Sequence, residues 1–281
     1  MQPPRHQPTF DQFRGLIGQA RRIPVYRQLT SDGLTPVSAF RKVHRGGHGF
    51  LFESVIGGEK VGRFSFLGTE SFLQFEAKGN EVRETQGGQV QSYHAADPFE
   101  ALRKIIESNR AVHLPELPRF SGGAVGFASY DSVRYSEHLP DAPPDDRALP
   151  DLAFNFYDRM VIFDHIRKTV LVVALADVGP DSQSARAAFD DACQRIDELV
   201  ARLSEPGPEL PLVDIDTSGP VTLQPKSNFT KEQYEAVVRR CQGYIKAGDI
   251  FQVVPSQRFA VETNADPFDI YRVLRVVNPS P

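Results

Sequence analysis

Apolar positions along this chain follow two periods, one near 3.6 residues and one of 2. Phe10, Phe13, Leu16 and Ile17 share a helical face, and the spacing predicts a helix over residues 10–22. Residues 23–30 read as a strand and Ser31-Asp32-Gly33 as a turn. Thr35-Pro36 opens a short helix, where the missing proline N–H costs nothing. Strands are expected at 51–55 and 61–67, with Phe64 and Phe66 alternating against Arg63 and Ser65. Residues 71–77, 81–85 and 90–93 follow as short strands separated by Lys78-Gly79-Asn80 and Gly87-Gly88, an antiparallel meander pattern. Asp97-Pro98 caps a helix running to Ser108, with Phe99, Leu102, Ile105 and Ile106 on one face. A glycine-studded strand at 120–129 precedes a loop rich in proline and aspartate at 139–150. Residues 153–164 and 169–176 read as the two arms of a hairpin, and 182–203 as a long amphipathic helix.

Five prolines, at 206, 208, 211, 220 and 225, then break all periodicity. The expected organisation is a domain over 1–205, a linker over 206–226, and the beginning of a second domain over 227–281. Thr230 and Gln233 have capping-box spacing. Tyr234, Val237, Val238, Cys241, Tyr244 and Ile245 form the stripe of the helix they open, and Gly248 is placed to end it. A strand over 250–261 and a helix over 267–277 complete the pattern. Strand runs followed by helices, without βαβ alternation, predict an α+β fold of antiparallel β-sheets flanked by helices.

Composition narrows the function classes. The 281 residues carry 36 acidic and 32 basic side chains, a net charge of −4, so no global basic field invites nucleic acid or an anionic membrane surface. Hydrophobic residues are 40% and charged residues 24%, the balance of a soluble globular chain. Cys193 and Cys241 are too few for a disulfide framework. The first residues lead into no apolar segment of a secretory signal, and the longest apolar run, 170–176, falls far short of the ~20 residues of a membrane span. The expected compartment is the cytoplasm. Generic motifs add little: Ser121 to Gly126 lacks the Gly-Lys-Ser/Thr of a phosphate loop and reads as glycines that let two backbones approach. His44 and His48 flank Gly46-Gly47, which argues for a turn rather than a helical metal pair.

Several longer stretches carry a resemblance. Leu51-Phe-Glu-Ser54, Gly57-Gly-Glu-Lys60 and Gly62-Arg-Phe-Ser-Phe-Leu-Gly68 resemble the amino-terminal region of the anthranilate synthase component I family. Phe120-Ser-Gly-Gly-Ala-Val-Gly-Phe127 with Tyr130-Asp131, and Phe156-Tyr-Asp-Arg159 through Val161-Ile-Phe-Asp164, resemble its next segments. Ala247-Gly-Asp-Ile-Phe-Gln-Val-Val-Pro-Ser-Gln-Arg-Phe259 is similar to the opening of its chorismate-binding domain, and Asn278-Pro-Ser-Pro281 to the start of a further segment. The resemblance implies a lyase of tryptophan biosynthesis that converts chorismate and ammonia to anthranilate and pyruvate. It implies Mg2+ as cofactor, a glutamine amidotransferase subunit as ammonia source, and feedback inhibition by tryptophan. It also implies a fragment, with the magnesium glutamates and most chorismate-binding residues expected beyond Pro281, so that the chain alone is expected to be inactive.

The same resemblance assigns candidate site residues. Glu53, Ser54 and Lys60 would hold tryptophan, with Asn278, Pro279 and Pro281 as the opposite wall. The chemistry suits an amino acid: Glu53 accepts from an ammonium, the Ser54 hydroxyl donates and accepts, and Lys60 meets a carboxylate. On spacing alone, Glu53 and Ser54 read as solvent-face residues of a strand whose Leu51 and Val55 point inward. Gln252 is the candidate nearest the chemistry. Water-using relatives have lysine at the position that looks equivalent; ammonia needs no such base, so a neutral amide suffices to position it. On spacing alone Gln252 is an alternating polar residue of a half-buried strand, and Arg258 reads equally as electrostatic support or as surface. Two alternatives stand beside this reading: aminodeoxychorismate synthase component I of folate synthesis, whose strand resembles Tyr-Gln-Val-Asn-Leu where this chain has Phe251-Gln-Val-Val-Pro255, and a non-catalytic tryptophan-binding or assembly module.

Overall fold

Every residue from Val170 to Ala176 is buried in the computed structural model, which describes residues 5–53, 62–179, 184–207, 210–212, 214, 215, 219, 220 and 223–278. Two units compose the chain, one running to Pro211 and the other from Leu212 to Pro279. The first contains α1 (Phe10–Arg14), β1 (Arg22–Thr30), α2 (Pro36–Val43), β2 (Phe50–Phe52), β3 (Phe64–Gly68), β4 (Leu73–Lys78), β5 (Glu81–Gln86), β6 (Gln89–His94), α3 (Pro98–Ser108), β7 (Gly123–Ala128), a 3-10 helix (Tyr130–Tyr135), β8 (Leu152–Tyr157), β9 (Arg159–Asp164), β10 (Thr169–Asp177) and α4 (Ala185–Ser204). The fold is α+β, with two five-stranded antiparallel sheets in the orders β1-β10-β9-β3-β2 and β6-β5-β4-β8-β7.

The continuous apolar run of β10 has a simple cause. The strand lies between β1 and β9, and α4 covers it with Phe189, Ala192, Ile196, Leu199 and Leu203. A strand enclosed on both faces has no position at which a polar side chain reaches water. The second sheet packs Leu73, Phe75, Val82, Leu152 and Phe156 against Leu102 of α3, whose N-terminus Asp97 caps by accepting from the Phe99 and Glu100 N–H groups. Burial of side chains of this size stabilises by roughly 1.5–3 kcal/mol each.

Two elements differ from the pattern reading. The expected helix over 10–22 stops at Arg14, with Gly15 as its C-cap and Gly18 at φ +90°. Two glycines interrupt the helix, and Ile17, on the expected apolar stripe, is exposed. The expected strand arm 153–164 is two strands in two sheets. β8 belongs to one and β9 to the other, with Asp158 at the break.

The second unit contains β11 (Lys226–Ser227), α5 (Lys231–Ala247), β12 (Phe259–Ala260) and α6 (Pro267–Val277). The capping box is formed: the Gln233 N–H donates to Thr230 Oγ1 at 3.2 Å, and the Thr230 N–H to Gln233 Oε1 at 2.9 Å. Gly248 ends α5 in the left-handed conformation, φ +85°. The strand expected over 250–261 is reduced to the two residues of β12, which pair with β11. Strand backbone forms only where a neighbour completes its ladder, and among the described residues only Lys226 and Ser227 do so.

Candidate functional site

β2 is the edge strand of the first sheet, with Phe50, Leu51 and Phe52 opposite Gly68, Leu67 and Phe66 of β3. Gly68 is required there: a Cβ on it would stand 2.6 Å from Phe50 Cε1. The Phe50 ring meets Phe52 at 5.2 Å, Tyr157 at 4.8 Å and Phe120 at 6.2 Å between centroids, and Phe120 meets Phe66 at 5.6 Å. This aromatic group fixes the end of β2, and Glu53 follows directly, half-buried. The Tyr157 hydroxyl is pushed up to about 12 by burial, so it stays protonated at any physiological pH. Ser54 and Lys60 lie outside the described residues.

The remaining candidates fall in the second unit. Asn278 is exposed, and its N–H caps α6 by donating to the Leu274 carbonyl at 2.8 Å. Pro279 and Pro281 lie outside the described residues. Gln252 is exposed on irregular backbone rather than on the half-buried strand expected for it. Its neighbours Phe251 and Val254 are 94% and 78% exposed. Arg258 is half-buried, and its N–H donates to Asn228 Oδ1 at 2.7 Å. Among the described residues, no group of three or more His, Cys, Asp and Glu side chains is arranged to hold a metal ion.

A cleft of about 550 Å3 in the first unit was not foreseen from the sequence. Arg21, Arg22 and Arg195 line it with Asp158, Asp177 and Asp191, beside Phe72, Leu175 and Ala187. Arg22 is only 6% exposed; its Nε and Nη2 donate to Asn109 Oδ1 at 3.1 and 2.8 Å, and its guanidinium lies 4.3 Å above the Phe72 ring. Burial lowers the Arg22 pKa, with Asp158 and Asp177 opposing. Burial alone would raise the Asp177 carboxyl, but the hydrogen bond from Arg21 and the Gly179 N–H bring it below its ordinary value. Three guanidiniums face three carboxylates, so the cluster neutralises itself. Its chemistry is that of a clamp joining β1, the β8–β9 break, β10 and α4. No motif announces it, because its residues come from separate elements.

Comparison with known proteins adds what geometry leaves open. Residues 51–281 match the family described as chorismate binding enzyme. Anthranilate synthase component 1 of Acetivibrio thermocellus is 36% identical over 98% of this chain and 55% of its own length, and that of Synechocystis sp. is 37% identical over the same shares. Anthranilate synthase alpha subunit 1, chloroplastic, of Arabidopsis thaliana is 41% identical over 92% of this chain and 47% of its own. The crystal structure of anthranilate synthase component I from Streptococcus pneumoniae TIGR4 superposes with a TM-score of 0.62 at 31% identity, covering 90% of this chain and 52% of that one. The chain spans about half the length of the curated relatives it matches. No helix among the described residues is long and apolar enough to cross a membrane. With more than half of its residues matched by one family, and relatives named anthranilate synthase component 1 aligned over 98% of its length, the chain belongs to the chorismate binding enzymes.

Proposed function

We propose that this chain is part of an anthranilate synthase component I, acting in the cytoplasm on chorismate. In that reaction ammonia adds at C2 of chorismate, the C4 hydroxyl leaves as water, and loss of pyruvate gives anthranilate. The observation that carries the reading is the alignment of relatives named anthranilate synthase over 97–98% of this chain at 36–38% identity. A glutamine amidotransferase subunit is the proposed ammonia source. Gln252 is the proposed positioning residue; a neutral amide orients a nucleophile that needs no base. The described residues do not assemble a magnesium site.

The first unit is the proposed tryptophan-sensing part, with Glu53 taking the ammonium, Ser54 and Lys60 the carboxylate end, and Asn278, Pro279 and Pro281 the other wall. A second reading concerns the 281-residue polypeptide by itself: it binds tryptophan without turning over chorismate. The exposure of Gln252 on irregular backbone favours it.

One assay on two preparations tests both. The purified chain is incubated with chorismate, ammonium and Mg2+, and anthranilate fluorescence is followed against a no-protein control. No rise is expected from this chain, and a rise overturns the second reading. A chain completed to the length of its relatives is expected to form anthranilate in the same assay. Formation of 4-amino-4-deoxychorismate instead overturns the first reading in favour of the folate-pathway sister enzyme.

A further inference from the structure

The cleft of about 550 Å3 in the first unit takes its walls from both sheets and from α4. Arg22 comes from β1, Asp177 from β10, Gln86 from the end of β5, and Ala188 and Asp191 from α4, with Asp158 at the break between the sheets. Its volume falls in the range of small-molecule sites. The reaction proposed for this chain makes no use of it.

Arg22 is held there with a donor to spare. The side chain is more than nine-tenths buried, and its Nε and Nη2 share one acceptor, Asn109 Oδ1, whose amide is fixed in turn by Nδ2 donating to the Ile105 carbonyl at 2.9 Å. Phe72 covers one face of the guanidinium. Nη1 makes no hydrogen bond with any described residue. Asp158 Oδ2 stands 3.9 Å from it, beyond hydrogen-bond reach, and already accepts from Arg195 Nη1 at 2.8 Å. Nη1 is not sealed from solvent, so a group entering the cleft can meet it. Acceptors are spare as well. Among the described residues the Asp158 and Asp191 carboxylates each accept one hydrogen bond, both from Arg195, which leaves an oxygen free on each and keeps the two side by side.

Three guanidiniums against three carboxylates leave no net charge for an ion to neutralise. A singly charged ligand would add an uncompensated charge to a partly buried cluster, whereas a zwitterion adds one of each sign. The spacing suits the smallest zwitterion: the spare donor lies 3.9 Å from the Asp158 carboxylate, and the ammonium and carboxylate of an α-amino acid hang from one carbon. Phe72, Leu175, Ala187 and Ala188 give the rest of the lining an apolar character. We propose that this cleft binds a free α-amino acid with an apolar side chain, its carboxylate on Arg22 Nη1 and its ammonium on the Asp158 and Asp191 carboxylates. The site shares no residue with the tryptophan site proposed around Glu53 or with Gln252.

Isothermal titration of the full chain with L-leucine tests it, beside 4-methylpentanoate and 3-methylbutylamine, which keep the leucine side chain and lack one charge each. Saturable binding of one leucine per chain is expected, with each analogue at least about tenfold weaker. Asp191 is largely exposed on α4, so Asp191→Asn is expected to keep the parent circular dichroism spectrum and to weaken leucine about tenfold. Ala188→Phe fills the cleft from its wall and is expected to abolish binding. Absence of saturable heat with leucine, an analogue that binds as tightly as leucine, or parent affinity in Asp191→Asn would each overturn the proposal. Loss of leucine binding in Ser54→Leu would also overturn it, by placing the amino acid at the end of β2.

Discussion

Arg195 donates from Nη1 to the Asp158 carboxylate at 2.8 Å, at the residue where the chain leaves one sheet for the other. Its Nη2 donates to the Leu175 carbonyl at 3.0 Å and its Nε to Asp191 at 2.8 Å. One guanidinium therefore ties α4 to β10 and to the break between β8 and β9. Arg195→Met keeps the stem and removes all three bonds, leaving a largely buried carboxylate and carbonyl short of donors. The expected loss is about 1–3 kcal/mol, read as a lower urea midpoint for the first unit at unchanged slope. An unchanged midpoint would show that the break holds without this clamp.

Gly126 of β7 lies against β8 so closely that a Cβ would stand 1.9 Å from the Ala153 carbonyl oxygen and 2.6 Å from Phe154 Cα. Both are backbone atoms and cannot rotate away. Gly126→Ala is expected to cost at least 1–3 kcal/mol, the ordinary range for overpacking, and to raise hydrogen exchange along β7 first. Parent-like exchange there would mean that the strand pair can open without loss.

Asp164 closes the β9–β10 turn. Burial would raise its carboxyl, but the Arg63 guanidinium and the N–H groups of Arg167 and Ile166 outweigh burial and hold it below the ordinary 3.8. A depressed folded-state pKa contributes stability that is complete above 3.8 and disappears as pH falls through the folded value. Asp164→Asn is expected to lose about 1–3 kcal/mol at pH 7 and to converge on the parent below that window. Parallel stability curves from pH 7 to pH 2 would contradict the assignment.

Cys193 sits on α4, and its thiol is pushed up to about 11 by burial, reinforced by Asp190 and Asp197. At pH 8 roughly one molecule in a thousand then carries the thiolate, the form that reacts. Iodoacetamide treatment of the native chain followed by peptide mass spectrometry is expected to leave Cys193 unmodified until denaturant is added. Prompt alkylation would reveal opening of α4.

The chain has eight tyrosines and no tryptophan, so bound tryptophan excited near the red edge reports its own surroundings without protein background. A blue shift of ligand emission is expected with the parent chain. Ser54→Leu is expected to weaken binding roughly five- to hundredfold, the loss of one ligand hydrogen bond of about 1–3 kcal/mol. Equal titration curves would remove Ser54 from the proposed site.

Local chemistry was legible in the sequence where it acts within a few residues. The Thr230–Gln233 box, the Asp97 cap, the Gly248 terminus and the close approach at Gly126 all follow from residue type and spacing. The change of sheet at Asp158 did not, because alternation gives the face of a strand and not which sheet it joins. The apolar stretch 250–261 reads as a strand for the same reason: pattern supplies one edge of a ladder and is silent on its neighbour. Glu53 was reached through resemblance, since a polar residue at a strand end is commonplace. The cleft of Arg22, Asp158, Asp177 and Arg195 left no trace in the linear chain, because β1, the β8–β9 break, β10 and α4 each contribute one of these residues.

The strand order carries a consequence for how the chain is made. The second sheet takes all its strands from one continuous stretch, β4 to β8, whereas the first closes only when β10 lies along β1, Arg22 opposite Asp177 and Thr30 opposite Thr169. During synthesis β4, β5 and β6 can form from adjacent hairpins and β8 can then join β4, all while β1 waits for its partner. Long-range pairing of this kind is intrinsically slow, because loop closure precedes any reward from contacts. β1 therefore emerges first and is secured among the last, and it is the segment of the first unit whose protection a folding chaperone would extend longest.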